Sequence, residues 1–126
     1  MVTALMVKPG EHPCPTQLCD NRDYLDRAVS ADMEVVCSAA VMRLTDGIAI
    51  IYNDEALMMG TANRRVGERI FSGVFYVVGL ADGRLVSLTD AQIAQYMVRF
   101  WETEIYTTDE VVDAWIDSLC AAMEMA

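Results

Sequence analysis

The chain has 126 residues, 54% of them hydrophobic, and its formal net charge is −10 at pH 7. This length and composition fit one domain that buries its own core, and they exclude a disordered chain. The apolar runs are shorter than a membrane span, and no basic segment precedes the first of them. We therefore expect one cytoplasmic domain over residues 1–126 and no membrane partner.

The acidic residues are concentrated toward the C-terminus. Residues 90–126 carry eight acids and one base, a net charge of −7, whereas residues 1–89 carry a net charge of −3. This balance disfavours direct binding to nucleic acid, because phosphates are neutralised by clustered lysine and arginine. The acidic end is either a solvated face or a surface for a basic partner.

The first half of the chain predicts a strand, a helix and a hairpin. Residues 3–8 form a short strand, and the apolar spacing predicts a helix over roughly 16–31. An apolar, β-rich run over 34–40 predicts the next strand. Asp46-Gly47 is a hairpin turn signal, and the buried strand 48–52 follows it.

The second half predicts further strands before it becomes helical. Residues 56–59 are either a short strand or one helical turn, and 74–80 is a clear strand. Asp82-Gly83 is a second hairpin turn, which makes 85–88 a possible short edge strand.

Two helices finish the chain, and each opens with a capping box. Thr89 and Gln92 begin the first, and Thr107 and Glu110 begin the second. Each helix carries an apolar stripe that predicts core contacts, and together the two tryptophan-bearing stripes predict a homo-oligomer. The stripes are Ile93, Tyr96, Met97, Phe100 and Trp101 in the first helix, and Val112, Trp115, Ile116, Leu119 and Met123 in the second.

This order of elements predicts the α+β class. Short connections and hairpin turns favour a mainly antiparallel sheet of about four to five strands, with one N-terminal and two C-terminal helices on one face. The four cysteines have no C-x-x-C spacing, so we expect reduced thiols, with Cys37 and Cys120 in structural positions.

The sequence offers little for catalysis. It contains no P-loop, dinucleotide-binding or zinc-protease motif. The single histidine, His12, lies in a proline-flanked loop two residues from Cys14, where the pair is poorly oriented for proton transfer. We therefore expect a binding protein rather than an enzyme, with no cofactor, no metal and no catalytic residue.

Two polar clusters follow apolar runs and form one candidate binding surface. Asp54 and Glu55 could begin a metal or general-base site, but adjacent carboxylates on a strand diverge, so we favour turn chemistry by Asn53 and Asp54. Three of the eight arginines fall within 64–69, where outward-facing guanidinium groups suit phosphate or carboxylate unless they pair with the protein's own acids. The candidate ligand-binding residues are Asn53, Asp54, Glu55, Asn63, Arg64, Arg65, Arg69 and Gly73.

At these positions the sequence resembles an uncharacterised bacterial and phage family of unknown function. The resemblance covers residues 1–101 and leaves 102–126 as an acidic C-terminal helix. It implies a gene carried by mobile elements, where small acidic proteins often antagonise host defence. The matching residues are Asn53-Asp54-Glu55, Gly60, Asn63-Arg64, the strand from Gly73 to Gly79, Leu88-Thr89 and the opening VKPGEHP.

These observations lead to one expected function and several alternatives. We expect a binding protein in the cytoplasm of a host bacterium that sequesters a nucleotide signal or blocks a defence protein. The alternatives are an acidic DNA mimic, a small interaction module and an enzyme acting on nucleotides. Asp113 and Asp117 form a like-charge pair four residues apart on one helix face and gain little from the helix dipole. This unfavourable placement favours a role in binding a partner. The candidate partner-binding residues are Asp113, Asp117, Glu102 and Glu104.

Overall fold

The computed structural model describes residues 1–31, 33–55 and 61–125. These residues form eight strands and three helices, which confirms the α+β class but exceeds the expected four to five strands. The strands are β1 Val2–Val7, β2 Cys14–Leu18, β3 Ala39–Thr45, β4 Ile48–Asn53, β5 Ala62–Val66, β6 Arg69–Ser72, β7 Phe75–Ala81 and β8 Arg84–Val86, and the helices are α1 Arg22–Ala28, α2 Asp90–Arg99 and α3 Thr108–Met125.

Six strands form the main sheet, in the order β2-β1-β7-β4-β3, with β8 paired to the far end of β7. All of its pairs are antiparallel, as expected. The turn between β7 and β8 is the predicted Asp82-Gly83 hairpin, in which Asp82 has φ 52° and Gly83 has φ 73°. Positive φ at both central residues gives the turn a twist that matches the strands it joins.

The helices cover both faces of this sheet, so the expectation of helices on one face is wrong. Tyr96 of α2 and its C-cap Phe100 join one apolar cluster, whereas Leu25 of α1 joins the cluster on the opposite face. The reason is that the central strands are apolar on both sides: Ile50 belongs to the first cluster and Ile51 to the second. A sheet with two apolar faces needs a cover on each.

The N-terminal half departs from the expected helix over 16–31. Its first part is the edge strand β2, which contains Pro15. Proline is tolerated on an edge strand because its missing N–H faces away from the neighbouring strand. The helix begins only after Asn21, whose side chain accepts the N–H of Tyr24 at 3.1 Å as an N-cap. The next strand, β3, begins at Ala39 rather than at residue 34.

The β5–β6 hairpin is a separate two-stranded sheet that the sequence did not predict. The polar, arginine-containing sequence of β5 has little β propensity, so this strand depends on its surroundings. Gly73 ends the hairpin with φ 73°, and its N–H donates to Thr61 O at 2.8 Å. The short element expected over 56–59 lies outside the described residues.

Both C-terminal capping boxes are present. The Thr89 hydroxyl accepts the N–H of Gln92 at 3.2 Å, and the Gln92 side chain accepts the N–H of Thr89 at 2.9 Å. Thr107 and Glu110 make the same reciprocal pair at 3.2 and 3.1 Å. The chain therefore starts α2 and α3 where the sequence predicts.

Candidate functional site

Arg64, the centre of the predicted anion site, is fully buried at 0% exposure. The expectation that it faces outward is wrong. Its Nε–H and one Nη2–H donate to Phe100 O, at 3.1 and 2.9 Å, and the second Nη2–H donates to Glu11 O at 2.7 Å. The two Nη1 hydrogens donate to Lys8 O at 3.3 Å and to the Asn63 side chain at 2.8 Å.

These contacts use all five donors of the guanidinium. Phe100 is the C-cap of α2, so the cation also lies at the negative end of that helix dipole. Burial lowers the pKa of Arg64, and the charge of Glu104 opposes this shift. Arg64 is thus a cross-link between β5, the loop after β1 and the end of α2.

Asn63 completes this buried polar group. Its side-chain amide donates to Val7 O at 2.9 Å and to Gly73 O at 2.8 Å, and its side-chain oxygen accepts from Arg64. The side chain is 0% exposed. Asn63 and Gly73 therefore belong to the interior of the fold and not to its surface.

Arg65, next to the buried Arg64, is exposed and contacts the segment that joins α2 to α3. Its backbone N–H donates to Glu104 Oε1 at 2.9 Å, and Tyr106 donates its hydroxyl to the same oxygen. The Arg65 guanidinium lies 5.7 Å from the Tyr106 ring centroid. Burial and the bond to Glu104 raise the pKa of Tyr106. Glu104, a predicted partner-binding residue, thus holds this segment against β5.

The remaining members of the cluster lie at the end of β4. Asn53 is 3% exposed, and its side chain accepts the N–H of Glu55 at 3.0 Å, which confirms the predicted turn chemistry. Asp54 pairs with Arg69 at 3.1 Å, and Arg69 also donates to the Tyr52 hydroxyl at 3.0 Å. For Arg69 the structure therefore agrees with the interpretation that the arginines pair with the protein's own acids.

The structure divides the eight predicted ligand-binding residues into three separate groups. Asn63, Arg64 and Gly73 lie in the interior, and Arg65 faces Tyr106. The third group lies at the end of β4 and comprises Asn53, Asp54 and Glu55 together with Arg69, the ion-pair partner of Asp54. Their donors do not converge on one point, and those of Arg64 are already occupied. Ligand binding at this surface stays a prediction.

His12 makes a contact that no local sequence signal indicates. Its ring stacks on Trp101 with 3.9 Å between centroids and 7° between planes, and its Nδ1 lies 2.8 Å from Trp101 O. A carbonyl oxygen only accepts, so Nδ1 carries the proton. His12 therefore fastens the loop after β1 to the end of α2, next to the Arg64 cross-link.

The two predicted apolar stripes have different environments. In the first stripe, Tyr96 of α2 and the C-cap Phe100 are 3% and 2% exposed and belong to the core. Among the α3 residues whose burial the structure describes, Val111 and Ala114 are the buried ones, and they pack against Ile70 of β6. The exposed apolar residues of α3, here called the α3 stripe, are Trp115 (40% exposed), Ile116 (45%), Leu119 (45%) and Met123 (76%).

An acidic row borders the α3 stripe. Asp113 and Asp117 are one helical turn apart and exposed, and Asp117 is displaced about 100° around the helix from Ile116. The chain has no lysine or arginine after Arg99. Among the described residues, none forms an ion pair or hydrogen bond with Asp113 or Asp117. The carboxylates therefore face solvent beside an exposed apolar surface.

The cysteines divide in a way that the sequence only partly predicts. Cys37 is buried, as expected, and its pKa is raised by a hydrogen bond with Glu55 and by burial. Cys120 is exposed, so its expected structural position is wrong. It lies one residue after Leu119, on the side of α3 turned toward the acidic row.

An open groove of about 590 Å³ lies between β2 and α1, away from all predicted site residues. The groove is lined by Thr16, Gln17, Leu18, Asn21, Asp23, Tyr24, Arg27, Ala28 and Tyr76.

Within the ranges that the structure describes, no three His, Cys, Asp or Glu side chains are grouped so that they could hold a metal ion. In those ranges no helix combines the length and apolarity that a membrane crossing requires.

Comparison with known proteins gives one match. A family model described as a domain of unknown function, DUF3846, matches residues 2–101, and the chain belongs to this family. No curated protein and no solved structure matches. The matched region contains all the described strands together with α1 and α2, and α3 lies outside it.

Proposed function

For this member of the DUF3846 family, we propose the role of a non-enzymatic binding protein that docks α3 on a basic surface of another protein. The observation that carries the proposal is the α3 stripe with the acidic row beside it. An exposed helix face with anchors at i, i+4 and i+8, such as Trp115, Leu119 and Met123, is the form in which amphipathic helices enter apolar grooves.

The charge of α3 specifies the partner. Asp113 and Asp117 favour lysine or arginine at one rim of the partner's groove, because complementary charges accelerate association and reject wrong partners. The same carboxylates repel nucleic acid, whose phosphates are also negative. The partner is therefore a protein with an apolar groove and a basic rim.

A second copy of the chain fits this surface poorly. In a twofold antiparallel helix pair, each edge of a helix meets the same edge of the other copy. The acidic rows would then face each other, with Asp113 and Asp117 of one copy near those of its twin. Like charges at such an interface destabilise it.

The biological partner class comes from the resemblance to families carried by mobile elements. Under this proposal the partner is a bacterial defence protein, and the complex forms in the cytoplasm of the host. The acidic row alone would support the DNA-mimic alternative, but a mimic does not need the apolar stripe. Sequestration of a nucleotide has less support, because every donor of Arg64 is bonded within the chain.

Affinity capture with matched variants tests the proposal. Three tagged proteins serve as bait in a bacterial lysate: the wild type, Leu119→Ser and Val98→Ser. The proteins bound to each are quantified by mass spectrometry. Val98 is the control because it is also an exposed apolar residue on a helix, at 79% exposure, but lies on α2.

We expect the wild type and Val98→Ser to capture the same protein, and Leu119→Ser to lose most of it. The captured protein should carry an apolar groove with a basic rim. Equal capture by all three forms would show that α3 is not the docking surface.

A further inference from the structure

The groove between β2 and α1 has two walls that are fixed by hydrogen bonds between elements. The Tyr24 hydroxyl of α1 donates to Gln17 O of β2 at 3.2 Å, and the Tyr76 hydroxyl of β7 donates to Ala28 O of α1 at 3.1 Å. Both rings are therefore held in place before a ligand arrives, which lowers the entropic cost of binding. The groove volume of about 590 Å³ lies in the range of small-molecule sites.

The lining of the groove combines an apolar floor with an exposed aromatic ring. Leu18 and Tyr76 are 1% and 5% exposed, and with the half-buried Ala28 they form the floor. Tyr24 is 39% exposed, so part of its ring is open to a ligand. Aromatic rings pack favourably against other rings, either offset or edge to face. The groove thus suits a ligand with an aromatic group.

Two opposite charges line the groove without pairing with each other. Asp23 and Arg27 are four residues apart on α1, with the acid first, which is the favourable order for an ion pair. Arg22 and Asp26 have the reverse order, yet they form an ion pair at 3.5 Å. Within the part of the chain that the structure describes, the side chains of Asp23 and Arg27 make no ion pair or hydrogen bond. The groove therefore presents one free carboxylate and one free guanidinium.

These charges select one class of ligand. A simple anion would meet the Asp23 carboxylate and the net charge of −10, and a simple cation would meet Arg27. A zwitterion carries no net charge, so the overall field of the chain does not repel it. Its ammonium group can donate to Asp23, and its carboxylate can accept from the planar guanidinium of Arg27.

We propose that the groove between β2 and α1 binds a free α-amino acid with an aromatic side chain. The ligand ammonium donates to Asp23, the Arg27 guanidinium donates to the ligand carboxylate, and the ligand ring packs against Tyr24 above the apolar floor. This site uses no residue of α3, so it is independent of the proposed docking of that helix.

Titrations of the full chain with three probes, followed by the shifts of its amide NMR signals, test the inference. L-Phenylalanine carries both charges, phenethylamine lacks the carboxylate and 3-phenylpropionate lacks the ammonium group. The variants are Asp23→Asn and Arg27→Gln, both at exposed positions. Arg22→Gln is the matched control, because Arg22 is also an exposed arginine of α1 but pairs with Asp26 and does not line the groove.

We expect the wild type and Arg22→Gln to bind L-phenylalanine at least about fivefold more tightly than either analogue, because each analogue loses one charged contact. Arg27→Gln should lose the preference over phenethylamine, and Asp23→Asn should lose the preference over 3-phenylpropionate. The inference is overturned if the wild type does not bind L-phenylalanine at millimolar concentrations or binds it no better than the analogues. An unchanged preference in either groove variant would also overturn it.

The same titrations locate the bound probe. We expect L-phenylalanine to shift the amide signals of Tyr24 and Ala28 and to leave that of Leu119 in place. Shifts confined to α3 would show that the probe binds the α3 stripe instead, and they would overturn the inference.

Discussion

Arg64 shows how a residue that resembles a ligand-binding group can instead organise a fold. A buried guanidinium without a carboxylate partner is costly unless every donor is satisfied. Here the donors meet Phe100 O, Lys8 O and Glu11 O, and the side chain of Asn63. These acceptors are far apart in sequence, so the arginine fixes three chain segments at once.

We predict that Arg64→Ala destabilises the protein by about 3 kcal/mol or more, because it leaves buried carbonyls without donors. Arg65→Ala is the matched control, since its side chain contributes mainly the Tyr106 contact, and we expect a cost of less than about 1 kcal/mol. Urea unfolding of the two variants measures both. Equal costs would contradict the structural role of Arg64.

Tyr106 makes a pH-dependent contribution to stability. Its folded-state pKa is raised, mainly by burial and then by Glu104, so the folded protein favours the neutral phenol. The unfolded chain loses this proton first, near pH 10. The contribution is therefore complete below about pH 10 and is lost as the pH rises through the folded-state pKa.

We predict that the free energy of unfolding falls more steeply above about pH 10 in the wild type than in Tyr106→Phe. Urea unfolding across this pH range measures the free energy of unfolding of both proteins. The other four tyrosines are common to both, so their contribution drops out of the difference between the two curves. Parallel curves for the two proteins would show that Tyr106 does not carry this dependence.

At the scale of elements, the sequence predicts those with strong local signals. Thr89 and Thr107 mark the starts of α2 and α3 correctly, and Asp82-Gly83 marks a hairpin. β2 is missed because its apolar residues also fit a helical spacing and Pro15 argues against a strand. The β5–β6 hairpin is missed because Asn63 and Arg64 read as surface residues, whereas tertiary contacts bury them. No local pattern encodes acceptors supplied by distant segments.

The helix α3 also carries an unfavourable local pair. Asp113 and Asp117 are like charges four residues apart, a spacing that costs about 0.2–0.5 kcal/mol. We predict that Asp113→Ser combined with Asp117→Ser raises the free energy of unfolding of the free protein by this amount. Thermal unfolding at low salt measures it. A destabilised double variant would mean that the carboxylates hold α3 in place.

At the scale of the whole molecule, the proposed function assigns structural and interaction roles to different parts of the chain. Residues 2–101 form the family domain, in which Arg64 at the centre of the predicted anion cluster is interior and Arg65 is exposed. The segment after it carries seven acids, no base and the α3 stripe. The acidic end was visible in the sequence, but whether each stripe faced the core or solvent depended on the packing of α2 and α3. That packing makes α3 the surface through which we expect the protein to act.

The proposed docking of α3 is tested most directly by the rate at which the captured partner protein associates with this chain. It is measured by stopped flow against the wild type and the Asp113→Ser, Asp117→Ser double variant over a series of salt concentrations. We predict that the wild-type rate falls steeply as salt rises, because screening removes the attraction to a basic rim. The double variant should associate more slowly at low salt and depend less on salt. Equal rates for the two proteins at every salt concentration would contradict docking of the acidic row on a basic partner.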